Sequence, residues 1–152
     1  MLSDLDINLL AFAQTAELAT RDLYLSVVNR AAMSGDEQAI LVLFHDHHVA
    51  YEQSLNGLLG KRAALVRDES LYARFLEGLS KTSEIWATLL EIENILVATH
   101  TAILERLESA TTAGLIASVI TVEARHAAIL ATLISDDLSL ALDNKAQALV
   151  AP

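Results

Sequence analysis

The chain has 152 residues, a formal net charge of −10, no cysteine and one proline, at the last position. That length admits one domain with a real core. The missing cysteines exclude disulfides, thiolate metal sites and cysteine nucleophiles, and the acidic balance without any basic run argues against nucleic acid or an anionic membrane as partner.

Leu and Ala dominate a composition that is 53% hydrophobic with only five Gly, so the expected fold is all-α. The mean hydropathy is positive, which points to apolar surface covered by a second copy, and a homodimer is expected. The uninterrupted apolar runs fall short of the roughly 18 residues that a membrane span needs. The first residues, Met1-Leu2-Ser3-Asp4-Leu5-Asp6, are acidic where a signal peptide is basic, so a cytoplasmic location is expected.

In chain order, the first helix is expected from about Asp4 to Ala32, with Ser3 as N-cap and early acids suited to the helix dipole. Its inner stripe reads Leu10, Ala13, Glu17, Thr20, Tyr24, Val28. Ser34 and Glu37 form the S-x-x-E capping box of a second helix, which runs to about Leu59 and ends at Gly60. One face of it reads Leu41, His45, His48, Glu52, Leu55, Leu59. Residues 60–81 are too long for a hairpin and suit a crossover that carries a short helix from Ser70 to about Gly78. The third helix is expected from Thr82 or Ser83 to about Glu108, with Trp86, Leu89 or Leu90, Glu93, Val97, His100 and Leu104 inward. The fourth spans Thr112 to Ser135, with Leu115, Val119, Val122, Glu123, His126, Leu130 and Leu133 inward. Residues 136–152 form a weak helix or a strap. Connections that run short, long, short give an up-down-down-up four-helix bundle over residues 1–135.

At about 1.5 Å per residue, Glu17, His45, His48, Glu93, Glu123 and His126 all lie roughly 14–20 Å along their helices, near mid-height. Each is costly to bury alone. Glu123 and His126, three residues apart, share a helix face and can close on one ion. Oxygen and imidazole donors together suit Fe, Mn or Zn, where an all-oxygen cage would suit Ca or Mg. Plainer readings stand beside this one. Glu17 could pair with Arg21 one turn away, His45 could sit at the bundle edge, and His100 could be a hydrogen-bonded core histidine or a further ligand. Tyr24 and Trp86 could be core aromatics. Asp46, His47 and Glu91 are expected in solvent.

With these residues in place, the chain resembles the ferritin-like superfamily, the carboxylate-bridged di-iron bundles that include bacterioferritins and rubrerythrins. Within it, the chain is similar to small bacterial ferritin-like domain proteins. The family pattern is a Glu from the first helix, Glu-x-x-His from the second, a Glu from the third and Glu-x-x-His from the fourth. Glu17, Glu93, and Glu123 with His126 fill the first, third and fourth positions. In the second, His48 matches the family His, and His45 replaces the Glu. Three carboxylates offset three of the four charges on two divalent ions, and Glu52, one turn beyond His48, could restore a fourth. The family's tyrosine two turns after the first Glu is matched by Tyr24, which implies a hydrogen-bond donor beside the metal.

The resemblance implies binding of one or two iron ions, with Mn or Zn as alternatives, and oxidation of Fe(II) by O2 or peroxide, Glu123 bridging. Two alternatives stand. One is a non-enzymatic metal-binding or sensing protein with a mononuclear site of His45, His48, His126 and a Glu. The other is a metal-free helical interaction module.

Overall fold

The computed structural model describes residues 2–28, 30 and 33–151, with the backbone alone for Leu138. It is all-helical: α1 (Asp4–Val28), α2 (Gly35–Leu59), α3 (Glu69–Ser80), α4 (Ile85–Leu104) and α5 (Ala110–Ile134), with no strand among the described residues. Of the expected extension of the first helix to Ala32, Arg30 is not helical, and Asn29, Ala31 and Ala32 lie outside the described residues.

Local chemistry sets the helix ends. Ser3 Oγ accepts from the Asp6 N–H at 3.2 Å. Ser34 and Glu37 make the reciprocal capping box, each side chain accepting from the other's backbone N–H. α2 stops at Gly60, whose φ of +55° is open to glycine at no steric cost and costly to other residues. Asp68 accepts from the Leu71 N–H and starts α3 one residue before the expected Ser70. The third long helix is shorter than expected at both ends. Thr82–Glu84 form a 3-10 turn before α4. After Leu104 the buried Asp6 of α1 takes the N–H groups of Glu108 and Ser109, at 2.8 and 3.0 Å, so those residues leave the helix. Ser109 then caps α5, two residues earlier than the expected Thr112.

α1 packs along α2, and α4 along α5; α3 lies against α1 and α4. Two apolar clusters result. One joins Leu23, Val27, Leu41 and Phe44 to Phe75, Leu79, Ile85, Leu89, Ile92, Leu96 and Leu130. The other joins Leu9, Leu10 and Ala13 to Leu55, Leu59, Ile103 and Ile116. Each fully buried large side chain contributes about 1.5–3 kcal/mol. His48 on α2, His100 on α4, and Glu123 and His126 on α5 fall between the stretches that feed the two clusters, and Glu17 and Glu93 lie at the edge of the first, beside Ala16 and Ile92.

The segment between α2 and α3 is tied to α1. Ala64 N–H donates to Gln14 Oε1 at 2.7 Å, Asp68 N–H to the Thr15 carbonyl at 2.9 Å, and Arg67 pairs with Asp22 at 2.8 Å. The C-terminal residues make a 3-10 turn (Leu138–Ala141) and then an extended strap on α4. Asn144 Nδ2 donates to the Asn94 carbonyl, and the Leu149 N–H donates to Thr99 Oγ1.

α5, and α4 with the turn before it (Thr82–Leu104), are each long and apolar enough to cross a bilayer. Both turn a face with ionisable residues into the protein: Glu93 and His100 on α4, Glu123 and His126 on α5.

Asp6→Ala leaves two backbone N–H groups without their charged acceptor. It should cost about 3 kcal/mol, since bonds to a charged group contribute about 1.5–3 kcal/mol each. Urea unfolding followed by circular dichroism measures this, and a change below about 1 kcal/mol would remove Asp6 from its place in this account.

Candidate metal centre

The layer between the two clusters holds Glu17 from α1, His48 from α2, Glu93 and His100 from α4, and Glu123 and His126 from α5, all buried. Glu93 Oε1 accepts from Tyr24 Oη at 2.5 Å, from His126 Nδ1 at 3.1 Å and from His48 Nε2 at 3.2 Å. The other nitrogen of His48, Nδ1, lies 2.8 Å from Glu17 Oε2. His100 Nδ1 lies 2.9 Å from Glu123 Oε2, and its Nε2 lies 3.6 Å from Glu17 Oε1.

Two triads bring one donor atom from each residue close enough for a shared ion: His48, Glu93 and His126, and Glu17, His48 and Glu123. Glu17 Oε1, Glu93 Oε2, Glu123 Oε1 and His100 Nε2 are buried without a hydrogen-bond partner among the described residues. A buried carboxylate oxygen left bare costs about 1–3 kcal/mol or more. Several in one layer, with imidazole nitrogens among them, are the donor set of a transition-metal site, so the residues fit a metal.

The carboxylates and imidazoles set one another's protonation. Burial alone would raise Glu93, yet His48 and His126 outweigh it and hold the carboxyl down at about 2. Burial pushes Glu123 up to about 7, against the opposing pull of His100. Burial would lower His100, but Glu123 and then Glu17 hold it up at about 8. His48 is likewise raised well above the usual imidazole range, Glu93 and Glu17 overcoming its burial. It bonds two carboxylates through both nitrogens, so with no metal present it is an imidazolium, a proton serving where a cation would sit. Burial, then Glu93, raise the Tyr24 hydroxyl far above its ordinary value, so it stays a donor.

The structure brings Glu17, His48, Glu93, Glu123 and His126 together, with Tyr24 bonded to Glu93. It does not bring in His45 or Glu52. His45 sits at the edge of α2 with Nδ1 3.0 Å from Asp46. Glu52 accepts from Gln14 Nε2 at 3.0 Å and lies 3.8 Å from Arg21. The cause is the choice of face. Phe44 and Tyr51, one position before each, turn toward the core instead, and an aromatic ring is cheaper to bury than an imidazole or carboxylate. Phe44 lies 3.8 Å from the His126 ring, and Tyr51 meets the His48 ring edge-on at 5.9 Å. Arg21 pairs with Asp22 and Glu52, which leaves Glu17 to the imidazoles.

His47, expected in solvent, is half-buried. Its Nδ1 lies 2.8 Å from His126 Nε2. The two rings are parallel within 1° at 5.1 Å, the separation an in-plane N–H···N bond gives. His126 Nδ1 faces Glu93 and its Nε2 faces His47 Nδ1, so the tautomer that carries its proton on Nε2 and donates it to His47 leaves the Nδ1 lone pair for a metal. This partner fixes the His126 tautomer and ring orientation, as ligand histidines require. The sequence carries no signal for His47, because its role exists only where α2 meets α5. His100 does carry one, seven residues after Glu93 on the same stripe. Glu91 pairs with Arg74 at the surface, and Trp86 packs against the first apolar cluster.

A family model for a ferritin-like domain matches residues 5–136. Comparisons with curated proteins and with solved structures each found no match.

With no metal bound, these groups make stability depend on pH. The depressed Glu93 gives stability that is present above its ordinary value of 4.5 and lost as pH falls toward 2. Glu123 and His100 act oppositely. The folded chain holds their protons more tightly than the unfolded one, so stability falls as pH rises from 4.5 to 7 for Glu123 and from 6.5 to 8 for His100. Chelator-treated protein should therefore melt at progressively lower temperature from pH 5 to 8. Divalent metal, which replaces those protons, should raise the melting temperature most at pH 8. Scanning calorimetry across that range, with and without metal, checks both slopes.

Proposed function

The chain belongs to the ferritin-like domain family, and from that premise we propose that its buried layer takes up transition-metal ions, iron foremost, and oxidises Fe(II) with O2 or peroxide. What supports this is the pair of buried Glu/His triads with bare carboxylate oxygens. With it we propose the finer architecture: an up-down-down-up four-helix bundle of α1, α2, α4 and α5 within residues 1–135, a crossover over residues 60–81 that carries α3, and a separate tail. The Asp6 bonds to the α4–α5 turn, which bring the start of α1 to the end of α4, support it. A cytoplasmic homodimer is part of the reading, its partner surface drawn from exposed apolar residues such as Val42, Leu43, Ile129 and Leu133.

The residues that would hold metal are Glu17, His48, Glu93, Glu123 and His126, with His100 beside Glu17 and Glu123. Bound iron would supply the one-electron couple through which Fe(II) passes electrons to the oxidant. The protein does the rest by placement. The apolar clusters exclude water, so three carboxylates act in a medium of low dielectric and favour the more highly charged ion. Tyr24 holds Glu93 by one oxygen and leaves Oε2 free. His47 keeps the Nδ1 of His126 directed at Glu93 and offers the proton of that ring a way toward solvent.

One observation favours a second reading, a single ion held without turnover. The triad of His48, Glu93 and His126 is complete in itself, with two imidazoles and one carboxylate.

Plasma mass spectrometry and stopped-flow oxidation decide between them, on untagged protein reconstituted anaerobically with Fe(II). Two irons per chain and oxygen-dependent absorbance growth fit the oxidase. One ion and no O2 consumption fit the holding site, and no metal removes both. Glu123→Ala should weaken metal uptake by roughly 100-fold, the upper range seen on losing groups that support a metal.

A further inference from the structure

We propose that His48 bridges two metal ions through its two ring nitrogens, which makes the centre histidine-bridged and unequal in its two halves. This rests on the metal-centre reading above. The two triads share one residue, His48. Its Nδ1 faces Glu17 at 2.8 Å and its Nε2 faces Glu93 at 3.2 Å, so the ring lies edge-on between carboxylates from α1 and α4. It is held there: fully buried, with the Tyr24 ring 5.2 Å away and inclined by 24°, and Tyr51 edge-on to it.

A different donor set stands at each nitrogen. Beyond Nε2 are Glu93 and His126. Beyond Nδ1 is Glu17, which forms the second triad with His48 and Glu123, and His100 lies 3.6 Å from the bare oxygen of Glu17. The bare atoms fall on both sides: Glu93 Oε2 on one, and Glu17 Oε1, Glu123 Oε1 and His100 Nε2 on the other. One half is nitrogen-rich and the other carboxylate-rich, so the two ions differ in softness of ligation.

Charge closes on the same arrangement. Three carboxylates leave two divalent ions one positive charge in excess. An imidazole that has given up both ring protons carries one negative charge and presents a lone pair at each nitrogen. With the ring protons released to solvent as two ions bind, the three carboxylates and the imidazolate balance the four metal charges. No carboxylate from α2 is then needed, in keeping with Glu52 being taken up by Gln14 and Arg21.

The test uses the full chain, untagged, stripped with chelator and loaded with Zn(II), with 15N-labelled histidine and long-range 1H–15N correlation spectra. The chain has five histidines. We expect two Zn per chain and one ring with both nitrogens metal-bound and no N–H, a pattern absent from His48→Gln. If that variant does not fold, His45→Gln, His47→Gln, His100→Gln and His126→Gln assign the ring by elimination, since the doubly bound pattern persists in all four. The proposal is overturned if at two Zn per chain every ring keeps a proton or a free nitrogen, if the doubly bound ring survives in His48→Gln, or if uptake stops at one Zn. That last result leaves the metal-centre reading standing, whereas no uptake of Zn(II) or of anaerobic Fe(II) removes it too.

Discussion

Three glutamates at one depth between two dry clusters are the constraint on which this molecule turns. Moving an isolated carboxylate into such a place carries an effective penalty of several kcal/mol even after relaxation. The chain meets it by giving every carboxylate an imidazole: His48 for Glu17, His48 and His126 for Glu93, His100 for Glu123. The match is incomplete by design of the donor count, because each glutamate keeps one oxygen bare. A layer that closed all its hydrogen bonds would be a structural network. One that leaves a bare oxygen on each helix that supplies a carboxylate is poised for a cation.

Such a layer is useful only if four helices hold a common depth. Sliding a helix by one residue moves its side chains about 1.5 Å, enough to break a 2.8 Å contact. The devices away from the layer read as depth control. Asp6 pins the turn between α4 and α5 to the foot of α1, and Gln14 and Thr15 anchor the segment after α2 to α1 one turn before Glu17. The strap does the same for α4 through Asn94 and Thr99, which lie between Glu93 and His100 along the helix. These contacts touch no ligand, yet they fix where every ligand sits.

Much of this was legible in the sequence because it depends on local periodicity. Glu17, Glu93, Glu123 and His126 interrupt apolar stripes, and their distances along each helix place them together without any tertiary knowledge. Ser34 with Glu37 announced a helix start by chemistry confined to four residues. The second helix was different. At 3.6 residues per turn, Phe44 and His45 stand almost equally well on the face of His48, as do Tyr51 and Glu52, and spacing alone cannot choose between them. The choice is made across the interface, where Phe44 finds the His126 ring and Glu52 finds Gln14. His47 was invisible for the same reason. The early end of α4 was invisible too, since its cause is an aspartate on α1.

That rotated face has a chemical consequence. α2 brings nitrogen and aromatic rings to the centre and no carboxylate: Phe44, His47, His48 and Tyr51. Burial and the nearby Glu123 raise the Tyr51 phenol, and Tyr24 is raised by burial and Glu93, so both hydroxyls keep their protons and act as donors, not as anionic ligands. The negative charge of the centre must then come from three glutamates and from whatever His48 can supply. Replacing a carboxylate by an imidazole at the junction of two triads exchanges a flexible two-oxygen ligand for a rigid ring with its lone pairs directed apart. The ring holds its two neighbours in separate, unlike environments, and so the asymmetry of the centre follows from which residues of one helix turn inward.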